Sequence, residues 1–282
     1  GMLFRNAHCA GPTCSPSRAA LLTGRAPHSC GMIGLAHRGA RLADPSQHLA
    51  AFLARHGYAT ALVGVQHEGD PVANGYQRVI APPPGTRAEQ ALRQATIVRE
   101  LLATAGKAPF FIACGFHLTH RYGGRPHHQE SGPRGDPRHV RPPAPLPDAP
   151  ETRQDFADFR EAVAAYDRAF GVLARGVRES GHEDDTLVVV TTDHGIAFPL
   201  MKCNLTVHGT GVLLMLRGPG GFSGGLVSDA LVSHIDIYPT ICELAGLPAP
   251  EWLEGRSLTS LPADPGRQVN DEIFAEVTFH AA

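Results

Sequence analysis

The chain has 282 residues, 43% of them hydrophobic, enough apolar material for one sizeable α/β core, with two domains left open on length alone. Its 25 Lys and Arg against 27 Asp and Glu give a formal net charge of −2, which makes no electrostatic case for a nucleic-acid or membrane-surface partner. No apolar run approaches the roughly 20 residues that span a bilayer, and no signal peptide is visible, so cytoplasmic and exported locations both stay open.

Leu49, Phe52 and Leu53 recur at helical spacing up to His56-Gly57, and Ala59-Thr60-Ala61-Leu62-Val63-Gly64 reads as a buried strand ending at a glycine. After the loop Pro82-Pro83-Pro84-Gly85, Thr86 and Glu89 make a capping-box signature. Leu92, Ala95, Ile97, Val98, Leu101 and Leu102 carry the helix that follows. Residues 109–116 predict a second buried strand, and 117–150, rich in Pro, Gly, Arg and His, one long loop. Phe156, Phe159, Val163, Tyr166, Phe170 and Leu173 mark an amphipathic helix over 155–180. Further strands are predicted at 186–192, 212–216, 230–232 and 273–275, with a helix at 238–245. Strands alternating with helices predict an α/β fold with a mostly parallel central sheet and helices on both faces. Polar ligands then gather beyond the carboxyl ends of the strands. Gln66-His67, residues 117–120 and Asp193-His194 stand at three such ends.

Six scattered cysteines show no second pair at zinc-like spacing. One of them opens the run Cys14-Ser15-Pro16-Ser17-Arg18-Ala19-Ala20-Leu21-Leu22-Thr23-Gly24-Arg25. Thr191-Thr192-Asp193-His194-Gly195 follows a Val-Val-Val strand, and a carboxylate at the end of a buried strand is costly unless it is paired or binds metal. Lys202 lies seven residues beyond Gly195; Phe116-His117-Leu118-Thr119-His120-Arg121 and Gly64-Val65-Gln66-His67 supply two more histidine-bearing strand ends. The plain alternatives are a thiol buried before a helix, a polar strand end, a surface lysine and ordinary loop histidines.

The twelve-residue run resembles the signature of formylglycine-dependent sulfatases, within the alkaline-phosphatase-like superfamily. Asn6-Ala7-His8-Cys9, Gly195-Ile196-Ala197-Phe198-Pro199 and Asn204-Leu205 are similar to the heparan N-sulfatase-like (sulfamidase-like) branch. The resemblance implies hydrolysis of a sulfuric ester or N-sulfate, on a sulfated small molecule or glycan. In it Cys14 is oxidised to formylglycine by a formylglycine-generating enzyme. One hydroxyl of the hydrated aldehyde attacks sulfur, and the other loses its proton as sulfate is expelled, a second step that serine could not perform. It implies further that Arg18 holds the nucleophile, Lys202 contacts a sulfate oxygen, His120 is the general acid and His67 the base. Asp193, His194 and the modified Cys14 are implied as ligands of a divalent metal, calcium in most of the family; calcium favours oxygen donors, so His194 is the less comfortable ligand. Asp236, in Ser233-His234-Ile235-Asp236, is implied to be structural.

Three departures stand out. Val65 replaces a lysine, and Leu118 and Thr119 replace the usual Asp and Pro. The family's initial Asp pair and its smaller C-terminal subdomain are not found in the sequence, so residues 1–282 are expected to be a catalytic-domain fragment lacking both. The competing readings are a phosphonate monoester or phosphodiester hydrolase, and a truncated, catalytically impaired homologue that binds sulfated glycans without turnover.

Overall fold

A computed structural model describes residues 1–121, 127 and 133–278. In chain order the elements are β1 (Met2–Phe4), β2 (Ala7–His8), α1 (Cys14–Thr23), α2 (Pro27–Cys30), α3 (Leu49–Arg55), β3 (Ala59–Gly64), β4 (Arg78–Ile80), α4 (Arg87–Ala103) and β5 (Phe110–Gly115). They continue with α5 (Pro150–Glu179), β6 (Val188–Thr191), α6 (Val207–Thr210), β7 (Leu214–Arg217), β8 (Leu226–Ser228), β9 (Val232–Ser233) and α7 (Ile237–Leu244). Short 3-10 turns at Ala36–Arg38, Pro45–Gln47, Pro137–His139 and His234–Asp236 punctuate the connections.

The chain divides into two compact units. The first holds Gly1–His56, His67–Gly75 and the described residues from Glu183 onward. Its four-stranded sheet has the order β6-β7-β1-β8, and β2 pairs with β9 beside it. β1 runs parallel to β8, and β2 parallel to β9, but β7 is antiparallel to both of its neighbours. Met2, Phe4, Leu214, Leu216, Phe222 and Val232 fill the core, all 2% exposed or less. Asp236 is structural, as expected. Its carboxylate accepts the backbone N–H of Ser233 and of Arg256, both at 2.8 Å, and the Asn270 amide at 2.9 Å.

The second unit holds Gly57–Gln66 and Tyr76–His182, with the all-parallel sheet β4-β3-β5. The capping box at Thr86 forms with Glu89 as read from the sequence. α4 and α5 meet through small residues, Ala91 and Ala95 against Ala162, Ala165 and Ala169, all 4% exposed or less. Their spacing of three and four puts them on one face of each helix. Of the large apolar residues picked from the sequence, Tyr166 and Leu173 pack against this cluster and Val98 and Leu102 are buried, whereas Leu92 and Val163 are 40% and 41% exposed.

Two expectations change. Residues 273–275 form no strand: Phe274 is 77% exposed, and the backbone meets the rest of the unit through Glu276 N–H donating to Ala10 O at 2.9 Å. Among the described residues parallel pairings predominate, as read, but they are spread over three small sheets. Part of the 117–150 loop lies outside the described residues. Among the described residues, no helix is long and apolar enough to cross a membrane.

Candidate active site

Cys14 is the first residue of α1, and Pro16 sits in the first turn, where its missing N–H costs nothing. The first helical hydrogen bond there is Ser17 N–H to Thr13 O, 2.9 Å. Cys14 and Arg18 are one turn apart and share a helix face. α1 is buried on nearly all sides, with Ser15, Ser17, Ala19 and Ala20 fully enclosed. The small residues of the motif let this helix pass through the interior of the first unit.

Asp193 and His194 lie on the turn just past β6, at a strand end as expected. The turn is held by Thr192 Oγ1, which accepts Leu213 N–H at 3.1 Å, and by Gly195 N–H donating to Gly209 O at 2.8 Å. A Cβ at position 195 would stand 1.8 Å from the His208 carbonyl oxygen, so only glycine fits this close approach. Lys202 sits between two non-glycine residues in the left-handed region, Leu200 (φ 64°) and Cys203 (φ 67°). Such backbone costs about 1–2 kcal/mol per residue and persists where surrounding contacts impose it. Here Cys203 N–H donates to Pro12 O at 2.8 Å, two residues before Cys14.

These elements converge. Lys202 Nζ donates to Cys14 Sγ at 3.2 Å, and His194 Nε2 lies 3.5 Å from the same sulfur. Arg18 Nε donates to Asp193 Oδ2 at 3.0 Å, and His194 Nε2 stands 3.7 Å from Asp193 Oδ1. Ser17 Oγ donates to the Asp193 carbonyl, and His234 Nδ1 is 3.4 Å from Ser17 Oγ. Burial would raise the Asp193 pKa, but His194, Arg18 and Lys202 outweigh it and hold the carboxyl well below the usual range. Burial would lower that of His194, yet Asp193 and Cys14 carry it upward. Burial first, and then the charges of His194, Arg18 and His8, hold His234 down at about 4 against the pull of Asp193, which keeps it neutral.

The ligand atoms of Cys14, Asp193 and His194 lie within 4.8 Å of one another, a group able to hold a metal ion. His194 Nδ1 is 2.7 Å from the Gly195 carbonyl, which can only accept, so Nδ1 carries a hydrogen. Nε2 is left to face the sulfur and the carboxylate, the arrangement that metal-binding histidines adopt. A carboxylate, an imidazole and an atom at the Cys14 side chain therefore fit a divalent cation.

Of the residues singled out from the sequence, Cys14, Arg18, Asp193, His194 and Lys202 are thus brought together. His67 belongs to the same unit and stacks on His37, ring centroids 4.9 Å apart and planes 7° from parallel. His120 belongs to the second unit, where its N–H donates to His117 O at 3.0 Å and the two rings meet edge to face. Sequence reading missed Glu68. It is 2% exposed; burial raises its pKa, and the Arg18 charge opposes that rise. The available signal was an acidic residue directly beside a strand-end histidine.

The family model described as Sulfatase matches residues 1–247. Human N-sulphoglucosamine sulphohydrolase is 32% identical to the chain, over 99% of it and 62% of that protein. The chain therefore spans less than two thirds of the length of this curated relative. Among solved structures, the phosphonate monoester hydrolase of Silicibacter pomeroyi superposes with a TM-score of 0.75 at 20% identity, covering 95% of this chain and 71% of that one. A 2-O GAG sulfatase superposes at 0.73 and 20% identity, covering 96% and 68%. The architecture is the alkaline-phosphatase-like α/β fold expected from the sequence.

Proposed function

The chain belongs to the sulfatase family, and we propose that it hydrolyses a sulfuric ester or an N-sulfate on a sulfated sugar, through a formylglycine made from Cys14. The observation that carries this reading is the convergence of Lys202 Nζ and His194 Nε2 on the Cys14 side chain, beside the Arg18–Asp193 pair. In this structure the thiol sulfur stands in for the oxygens of the modified residue.

Hydrated formylglycine supplies two hydroxyls on one carbon: one bonds to sulfur as the sugar oxygen or nitrogen leaves, and the other gives up its proton as sulfate departs and the aldehyde re-forms. A divalent cation, calcium in the first instance, would supply charge neutralisation for the sulfate oxygens. Asp193, His194 and the modified Cys14 would hold it. Lys202 donates to a sulfate oxygen and offsets charge that grows as the S–O or S–N bond breaks. Arg18 keeps Asp193 anionic and oriented. His120 is assigned as the acid that protonates the leaving atom, and His67 as the base that takes the second hydroxyl's proton. Residues 1–282 are assigned to one catalytic domain, with a formylglycine-generating enzyme as an obligate processing partner. The N-sulfate option draws on the human relative, whose name states its substrate.

The test is co-expression with a formylglycine-generating enzyme, for this chain and for its full natural reading frame. Peptide mass spectrometry across Cys14 is then paired with turnover of an aryl sulfate, N-sulfoglucosamine and a phosphonate monoester. Conversion of Cys14 with sulfate release, abolished in Cys14→Ser, is expected. Complete conversion in the full-length protein with turnover of the phosphonate alone would move the assignment to a phosphonate hydrolase.

A further inference from the structure

The proposed base, His67, is not alone. His37 Nδ1 lies 2.8 Å from His67 Nε2, and a hydrogen bond at that distance needs one nitrogen to donate and the other to accept. His37 sits in the 3-10 turn Ala36–Arg38, and that turn is tied to the nucleophile's own helix: Ala36 N–H donates to Ser15 Oγ at 3.0 Å. Ser15 is fully buried and directly follows Cys14. On the other side, His67 N–H donates to Glu68 Oε2 at 3.3 Å, and the Glu68 carboxylate feels the charge of Arg18. His67 is thus fixed at both its ring and its backbone by groups that lead back to α1 on two separate routes.

A neutral imidazole has a single lone-pair nitrogen, and the partner of the other nitrogen decides which one it is. If His37 accepts at Nδ1, His67 carries its hydrogen on Nε2 and presents a lone pair at Nδ1. On taking a proton there, His67 becomes an imidazolium whose Nε2–H is already held. If His37 donates, the His67 lone pair is turned into the pair and away from any substrate proton. Only the first arrangement lets His67 act as a base without breaking the 2.8 Å contact.

We propose that His37 is a positioning residue that accepts the Nε2–H of His67 and so locks it in the tautomer with a free lone pair at Nδ1. The inference rests on the reading of His67 as the base. It predicts that the hydrogen-bond geometry, and not the bulk of the His37 ring, is what matters. Asparagine places an amide oxygen close to the position of imidazole Nδ1, whereas phenylalanine fills the space with no acceptor.

The test uses the whole chain with 15N-labelled histidine, and reads the ring nitrogens of His67 by long-range 1H–15N correlation. The wild type and His37→Asn should show Nε2 protonated and Nδ1 bare, whereas His37→Phe should show a mixture of tautomers. A His67 tautomer unchanged in His37→Phe, or protonated at Nδ1 in the wild type, overturns the inference. In formylglycine-bearing enzyme, kcat should fall roughly tenfold in His37→Phe with KM within about twofold, and recover in His37→Asn. That is part of the roughly hundredfold or more that a positioned base contributes. A large loss in His67→Ala with no loss in His37→Phe also sinks the inference. Full activity in His67→Ala would instead sink the assignment of His67 as base.

Discussion

Two arginine–carboxylate pairs, one in each unit, have nearly the same geometry and opposite significance. Arg99 Nε lies 2.7 Å from Glu179 in the second unit, and Arg18 Nε lies 3.0 Å from Asp193 in the first. The shorter pair is about half exposed on both sides, at 51% and 50%, whereas the longer is 24% and 23% exposed. Water competes for the first and is largely kept from the second, so solvent access ranks the pairs where distance would invert them. The contrast belongs to these two pairs and not to the units at large. The second unit also encloses charge, with Arg121 and Asp155 17% and 24% exposed and Asp158 buried at 1%. The first also has an open pair, Arg5 with Asp229.

The largest expected effect breaks the inner pair. Arg18→Met leaves the partly buried Asp193 with His194 and Lys202 as its remaining partners, and should destabilise the first unit by about 3 kcal/mol, the low end for removing one member of a pair largely kept from water. Urea unfolding followed by circular dichroism measures it. A loss below about 1 kcal/mol would mean that His194 and Lys202 suffice, and that Arg18 is kept for chemistry alone.

That the inner pair could be read from the sequence at all follows from where its residues lie. Cys14 and Arg18 are in one uninterrupted run, and Asp193 and His194 directly follow an apolar strand, so each half was visible as a local motif. What joins the halves was not visible. The His37–His67 contact crosses 30 residues, and the Glu68 carboxylate acts on Arg18, 50 positions earlier, so no local pattern marks either. The fold divides in the same way. β3 and β5 were legible because they are six-residue apolar runs in a unit whose pairing partners lie near in sequence. β1 and β8 have three residues each and pair across more than 200 positions, too short to carry a period and too distant for a turn signal. The start of α5 at Pro150 was missed by five residues, although a proline at the first helical position is its signal.

A second, smaller effect probes how the first unit keeps a polar group neutral. His48 is fully buried, and its Nδ1 accepts the Ala50 N–H at 3.1 Å as the N-cap of α3. Burial depresses its pKa from 6.5 to about 3. The unfolded chain therefore takes up a proton below pH 6.5 that the folded chain refuses. The stabilisation is complete above that pH and is lost as pH falls toward 3. Between pH 7 and pH 5 this should remove about 2 kcal/mol, from the 1.36 kcal/mol that each pKa unit represents. His48→Asn keeps a capping acceptor that gains no proton. Its urea midpoint should depend less on pH over this range; an equal slope in both proteins would mean that other groups set it.

The smallest effect returns to the outer pair. Glu179→Gln should cost less than about 0.5 kcal/mol, because an exposed ion pair exchanges nearly as much hydration as it gains in attraction. Salt sharpens the comparison. At 1 M, where the Debye length is about 3 Å, even that difference should vanish, whereas the cost of Arg18→Met should largely persist, since partly buried pairs are screened much less. The Arg99 stem gives the outer pair its one route to a larger role: it crosses α5 at Gly176, where an added Cβ would stand 2.9 Å from Arg99 Cβ. That contact is apolar and survives the substitution at Glu179. A salt-insensitive loss above about 1 kcal/mol in Glu179→Gln would therefore show that the pair, and not the alanine seam beside it, fixes how α4 and α5 meet.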